Sequence, residues 1–170
     1  MKSSKNIVFL GMMGSGKSSI GFLVSKELKL DFYDVDTYIE NKLNMKISNI
    51  FKSKGEKFFR EFEEKTTLDI LKKRGIVVAL GGGAFINKNI RKEILKNHQS
   101  FWLKLNSDIL IKRIKSSIKR PLAYNIPNID LKNMIKDRTK HYEKALFKID
   151  CDDLTKKEII NKFLNIYETN

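Results

Sequence analysis

The chain has 170 residues, 41% hydrophobic and 32% charged, the composition of one folded domain rather than of a disordered or fibrous chain. Two prolines and nine glycines leave no material for an interdomain linker, and one cysteine, Cys151, with two histidines, His98 and His141, excludes a disulfide framework and a zinc site of four cysteines or of two cysteines and two histidines. The formal charge of +14 invites a nucleic-acid reading, but only six of 34 basic residues are arginine and the lysines run along the whole chain, so it reads as compositional bias.

No nucleic-acid partner is expected, and the setting expected from the single cysteine is the reducing cytoplasm. Met1 to Lys5 before Ile7-Val8-Phe9-Leu10 has the charge of an export signal, yet the apolar run is short and ends at Gly11, so export is not expected. The longest uncharged stretch, Gly75 to Asn87, falls well short of the ~20 apolar residues of a membrane span.

In chain order, Lys5 to Leu10 is a β-branched and aromatic run ending in glycine, and Ile20, Leu23, Val24 and Leu28 then recur at helical spacing, which predicts strand, loop and helix. A second strand is predicted at Asp31 to Tyr33. Helical faces follow at Val35, Ile39 and Leu43, then at Ile47, Ile50, Phe51, Phe58 and Phe62, interrupted by Gly55; this section, about 33–62, reads as a helical insertion. Ile76 to Leu80 is apolar without alternation, as a strand covered on both faces must be, and ends in Gly81-Gly82-Gly83. Ser100 to Leu105 and Phe147 to Cys151 read as strands, with helices near Lys88 to Lys96, Ser107 to Ser116, Leu131 to Tyr142 and Lys156 to Tyr167. Such alternation predicts a single three-layer α/β domain, 1–170, around a mostly parallel five-stranded sheet with ligands beyond the carboxyl ends of the strands.

Gly11-Met12-Met13-Gly14-Ser15-Gly16-Lys17-Ser18 satisfies the phosphate-loop pattern and lies between a predicted strand and a predicted helix, as the pattern requires. Gly14, Ser15, Gly16, Lys17, Ser18 and Ser19 are therefore the ATP-contacting candidates. Lys17, expected in a solvent-facing loop, would reach the β and γ phosphates, and the Ser18 hydroxyl would ligate Mg2+. Asp34 and Asp36 fall at the end of the second strand, near this loop if the sheet is parallel, where either serves Mg2+ or a hydroxyl, or simply caps the next helix. Arg60 and Glu63 share a helix face and, read alone, could be a surface ion pair. Three glycines after the apolar strand let a ligand approach the main chain.

A chain that uses lysine wherever a bare charge suffices reserves arginine for bidentate geometry, which singles out Arg60, Arg113, Arg120 and Arg138; Arg74 and Arg91 read as surface charges. Arg120-Pro121-Leu122 follows Ser116-Ser117-Ile118-Lys119 in a segment, about 116–126, suited to a kinase lid. No carboxylate follows Leu80, as a hydrolase motor or switch would have. Trp102 and Phe101 read as core, Met12 and Met13 as variable loop positions, Cys151 as buried and His141 as exposed.

Six segments together, the phosphate loop, Phe32 to Asp36, Gly55-Glu56 with Phe59, Arg60 and Glu63, Gly81 to Gly83, Arg120 to Leu122, and Arg138 with Tyr142 and Ala145, occur in the order and approximate spacing of one family. The chain resembles shikimate kinase, of the nucleoside-monophosphate-kinase-like P-loop proteins, over nearly its full length. The resemblance implies Mg-ATP-dependent phosphorylation of the 3-hydroxyl of shikimate by a P-loop kinase fold with a lid and a helical substrate-binding insertion. It further implies that Asp36 contacts the shikimate hydroxyls, Arg60 and Arg138 hold its carboxylate and Gly82 offers backbone contact. Asp34 would sit near the Mg2+ shell, Arg120 would reach the phosphates and Arg113 would lie against the adenine. Ala123 departs from the leucine common there. A monomer is expected. The competing readings are a kinase of another small polyol acid such as gluconate, and a nucleotide-dependent switch that holds nucleic acid.

Overall fold

A computed structural model describes residues 5–117, 123 and 125–169. Its elements are β1 (Ile7–Leu10), α1 (Lys17–Leu28), β2 (Asp31–Asp34), α2 (Val35–Leu43), α3 (Ile47–Leu71), β3 (Ile76–Ala79), a 3-10 turn (Ala84–Ile86), α4 (Lys88–Asn97), β4 (Gln99–Lys104), α5 (Ser107–Lys115), α6 (Asn128–Tyr142), β5 (Phe147–Asp150) and α7 (Lys156–Thr169). Among the described residues the five strands form one sheet, parallel throughout, in the order β2-β3-β1-β4-β5. The expected architecture is thus observed, with parallel pairing at every junction.

Strand alternation divides the core into two faces. Phe9 and Phe101 point to one side and pack on Phe163 of α7, with ring centroids 5.3 and 4.7 Å away, and α1 approaches the same side through Gly21, where a Cβ would lie 2.7 Å from the Phe32 ring. Leu10 and Trp102, one register position on, point to the other side, where Trp102 meets Tyr142 of α6 at 6.1 Å. Helices on both faces explain why β1 and β3 are fully apolar: neither face of either strand meets water.

The helix breaks at Gly55 as its sequence predicts, because φ 81° and ψ 167° lie where only glycine rests without strain. Beyond it α3 continues to Leu71, further than the aromatic spacing suggested, since Thr66, Thr67, Ile70 and Leu71 are also buried. Among the described residues no helix is long and apolar enough to cross a membrane.

One buried polar side chain ties the lower end of the sheet together. Asn6 donates from Nδ2 to Leu71 O at 3.1 Å and Lys73 O at 2.8 Å, and its Oδ1 accepts from Ile76 N at 3.3 Å, joining the start of β1 to the turn between α3 and β3. Asn6→Ala strands these backbone groups, so the variant is expected to lose about 2–4 kcal/mol of stability, read from the midpoint and slope of urea unfolding. An unchanged midpoint would show that water replaces the amide at no cost.

Candidate active site

Parallel pairing brings the loops after β1, β2 and β3 to one edge. Phe9 is in register with Ala79, Leu80 N donates to Phe9 O at 3.0 Å, and Asp34 faces Ala79 from the other side. The phosphate loop therefore stands beside the glycine triplet and the Asp34 to Asp36 turn.

Within the loop, Gly11 has φ 139° and no room for a side chain: a Cβ there would lie 2.8 Å from Leu103 O. Gly16, at φ 94°, leads directly into α1. Lys17 is the first residue of that helix and only 6% exposed, with Nζ donating to Gly11 O and Met12 O at 2.9 Å each. The expectation of a solvent-facing loop lysine is thus corrected: the loop curls over its own lysine and offers carbonyls to the ammonium. Ser15 Oγ is buried and lacks a hydrogen-bond partner among the described residues, an unsatisfied polar atom inside a loop of anion-binding shape. Ser18 Oγ donates to Asp34 Oδ2, while Asp34 Oδ1 accepts from Thr37 N at 2.9 Å. Asp34 thus caps α2, as one reading of its position holds, and at the same time accepts from Ser18 of the phosphate loop.

The acceptor-side candidates converge on the glycine triplet. A Cβ at Gly81 would lie 2.6 Å from Asp36 Oδ1 and 2.7 Å from Glu63 Oε1; at Gly83 it would lie 2.7 Å from Nη1 of Arg60; at Gly82 it would lie 3.1 Å from Met13 N and 3.6 Å from Nη1 of Arg138. Asp36, Arg60, Gly82 and Arg138 are therefore brought together. Arg60 bonds Glu63 through Nη1 at 2.7 Å and Glu56 through Nε at 3.3 Å. Glu63 is 2% exposed, so this is no surface pair. Burial raises the pKa of Glu63, and the charges of Arg60 and Arg138 oppose the rise.

Arg113 is exposed on α5 with Nη1 3.3 Å from Gly14 O, which places it at the phosphate loop. Arg120, with residues 118–122 and 124 of the expected lid, lies outside the described residues. Ser19 is exposed beside Ser18.

Three residues of this region have burial or partners that the sequence did not show. Met12, expected at a variable position, is buried and its Sδ lies 3.8 Å from Nη1 of Arg138. Tyr142 donates its hydroxyl to Gly82 O. Glu63 was signalled by its helical spacing from Arg60 and its place in the family segments, but its burial was not. Two surface assignments are also corrected. Arg91 is half-buried and donates from Nη1 to Phe85 O at 3.1 Å and Ile86 O at 2.7 Å, closing the 3-10 turn; His141 is half-buried, with a buried Nδ1. Cys151 is buried as expected, and burial pushes its thiol up to about 12. Among the described residues no three His, Cys, Asp or Glu side chains group as a metal cage.

A phosphate loop beside a side-chain-free glycine triplet, around which Arg60 and Arg138 stand among the Asp36 and Glu63 carboxylates, makes this a P-loop phosphotransferase. The family model for shikimate kinase matches residues 13–168. The shikimate kinase of Thermodesulfovibrio yellowstonii is 39% identical over 165 residues, covering 96% of this chain and 95% of that protein. Among solved structures, shikimate kinase from Acinetobacter baumannii in complex with shikimate has a TM-score of 0.92 at 27% identity, covering 99% of this chain and 96% of that one. Shikimate kinase from Aquifex aeolicus has a TM-score of 0.87 at 31% identity, covering 97% of each chain. The chain belongs to the shikimate kinase family, ATP-dependent enzymes that phosphorylate the 3-hydroxyl of shikimate on the route to chorismate and the aromatic amino acids. That membership decides against the gluconate-type kinase and the nucleic-acid switch.

The cradle geometry is testable through its missing side chains. Gly83 has φ −99° and ψ −12°, which alanine adopts freely, and the atoms its Cβ would strike belong to the guanidinium of Arg60. Gly83→Ala is expected to unfold within a few degrees of the parent while its shikimate affinity falls about tenfold, by thermal melting and titration calorimetry. Unchanged affinity would remove Arg60 from the cradle.

Proposed function

We propose that this chain acts as a cytoplasmic monomeric shikimate kinase whose acceptor is held between Asp36, Arg60, Arg138 and the backbone of Gly82. The observation that carries the reading is the meeting of Asp36, Arg60, Glu63 and Arg138 on a side-chain-free loop whose Gly82 abuts Met13 of the phosphate loop. In this reading the segment 33–62 is the acceptor-binding insertion and 116–126 the lid. Arg60 and Arg138 clamp the carboxylate from two sides, and Asp36 accepts a hydrogen bond from the 3-hydroxyl and orients it toward the γ-phosphorus.

The reaction asks little covalent chemistry of the protein, because the transferring phosphoryl group passes through a loose transition state in which positioning and charge compensation dominate. Gly14, Ser15, Gly16 and Ser19 surround the phosphates, Lys17 leaves its carbonyl partners for the phosphate oxygens, Arg120 adds charge from the lid, and Arg113 lies against the adenine. The donors beside the loop suit Mg2+, a hard cation that takes oxygen ligands: Ser18 Oγ in the first turn of α1 and the Asp34 carboxylate at the end of β2 already touch. Ser18 would bind it directly and Asp34 through water. When bound with ATP, Mg2+ supplies charge neutralisation on the phosphate oxygens.

ADP production by the purified protein with shikimate, gluconate or RNA tests the reading; ADP formed with gluconate but not shikimate would overturn it. Two further outcomes are expected. Lys17→Ala lowers turnover by about 10²- to 10³-fold, the usual cost of one preorganised charge donor, while the circular dichroism spectrum is retained; near-normal turnover in a folded variant would sink the phosphate-loop role. Arg60→Lys or Arg138→Lys keeps the charge but loses the fork, so shikimate affinity drops by about 1–3 kcal/mol, roughly 5- to 150-fold, with ATP affinity little changed. Titration calorimetry with both ligands reads the difference, and equal shikimate affinity in parent and variants would refute the clamp.

A further inference from the structure

Tyr142 closes α6 one turn after Arg138, on the same helix face, and is 2% exposed. Its ring packs on Trp102 with centroids 6.1 Å apart, a contact that phenylalanine would make equally well. The hydroxyl therefore needs its own explanation. It donates to Gly82 O, and the turn around that atom shows why it is available. Ala84 N takes Gly81 O and Ile86 N takes Gly83 O, both at 3.1 Å, so the turn's own bonds use the carbonyls on either side of Gly82.

We propose that Tyr142 is a positioning residue of the acceptor site: its hydroxyl locks the Gly82–Gly83 peptide beside Arg138, so that backbone and guanidinium meet the acceptor as one rigid unit. This rests on reading the glycine loop as the acceptor cradle. A trans peptide holds its N–H opposite its C=O, so fixing Gly82 O on Tyr142 turns the Gly83 N–H away from α6. Without side chains, Gly81 to Gly83 have the widest backbone freedom in the site, and an external bond removes it before the ligand arrives. The Arg138 guanidinium lies at the same spot, 3.6 Å from where a Gly82 Cβ would be and close enough to the hydroxyl to favour its ionised form. Burial outweighs that effect and pushes the hydroxyl up to about 12, so it remains a donor at neutral pH.

The test is steady-state kinetics on the parent, Tyr142→Phe, Arg138→Lys and the double variant, each with ATP and shikimate varied in turn and each followed by thermal melting. Tyr142→Phe is expected to raise the KM for shikimate about 5- to 30-fold, with kcat within about threefold and the KM for ATP within about twofold of the parent. Because the tyrosine acts through the unit that contains Arg138, the double variant should lose less than the product of the two single effects. An unchanged KM for shikimate, equal losses in both KM values and kcat, strictly multiplicative effects, or a variant that no longer unfolds cooperatively would each overturn the proposal and leave the hydroxyl a role in stability alone. A parent that forms no ADP with shikimate overturns the acceptor reading and this proposal with it; an active parent beside a variant of unchanged KM overturns only the proposal.

Discussion

The site depends on a volume that contains no side chains. Asp36 and Glu63 reach to where a Cβ of Gly81 would stand, and Arg60 reaches to where one of Gly83 would stand. Any larger residue would push carboxylates and guanidinium apart, and the cluster would lose the short contact between Arg60 and Glu63. Close packing usually concerns apolar atoms, but here it fixes ionic groups, whose mutual energies depend steeply on distance when water is excluded.

The same glycine loop couples the two halves of the site. A Cβ on its middle residue would lie 3.1 Å from Met13 N, and Met12 lies against Arg138, so the phosphate loop lines one side of the glycine cradle. This follows from the strand order: β3 lies beside β1 although 65 residues of chain separate their ends, and parallel pairing sends both strands out at one edge. Phosphoryl transfer requires donor and acceptor in line, and adjacent parallel strands hold the phosphate loop and the glycine triplet at a fixed separation.

Charge in the cradle is balanced rather than accumulated. Arg60 meets Glu56 and Glu63, and Glu63 feels Arg138 as well, so two fixed cations stand among fixed anions before any ligand binds. A buried arginine left unpaired would be costly, and the Glu63 and Glu56 carboxylates hold the Arg60 guanidinium in place. Lysine carries most of the chain's positive charge, 28 residues against six arginines, yet the cations that stand at the glycine triplet are Arg60 and Arg138.

The order of strands and helices, the break at Gly55, the phosphate loop and the gathering of Asp36, Arg60, Gly82 and Arg138 were all legible in the sequence. The elements were legible from short-range chemistry, a glycine's φ or an apolar spacing; the gathering needed the parallel-sheet rule and the family resemblance. Tertiary structure alone decided what surrounds each group. Lys17 turns back onto its own loop, Glu63 is buried rather than exposed, Arg91 closes a turn, and Tyr142 reaches a carbonyl 60 residues earlier in the chain. The reason is physical: conformational preference is set by a residue and its near neighbours, whereas burial and partner choice are set by segments brought together only when the sheet closes, as Arg138 and Met12 are across 126 residues.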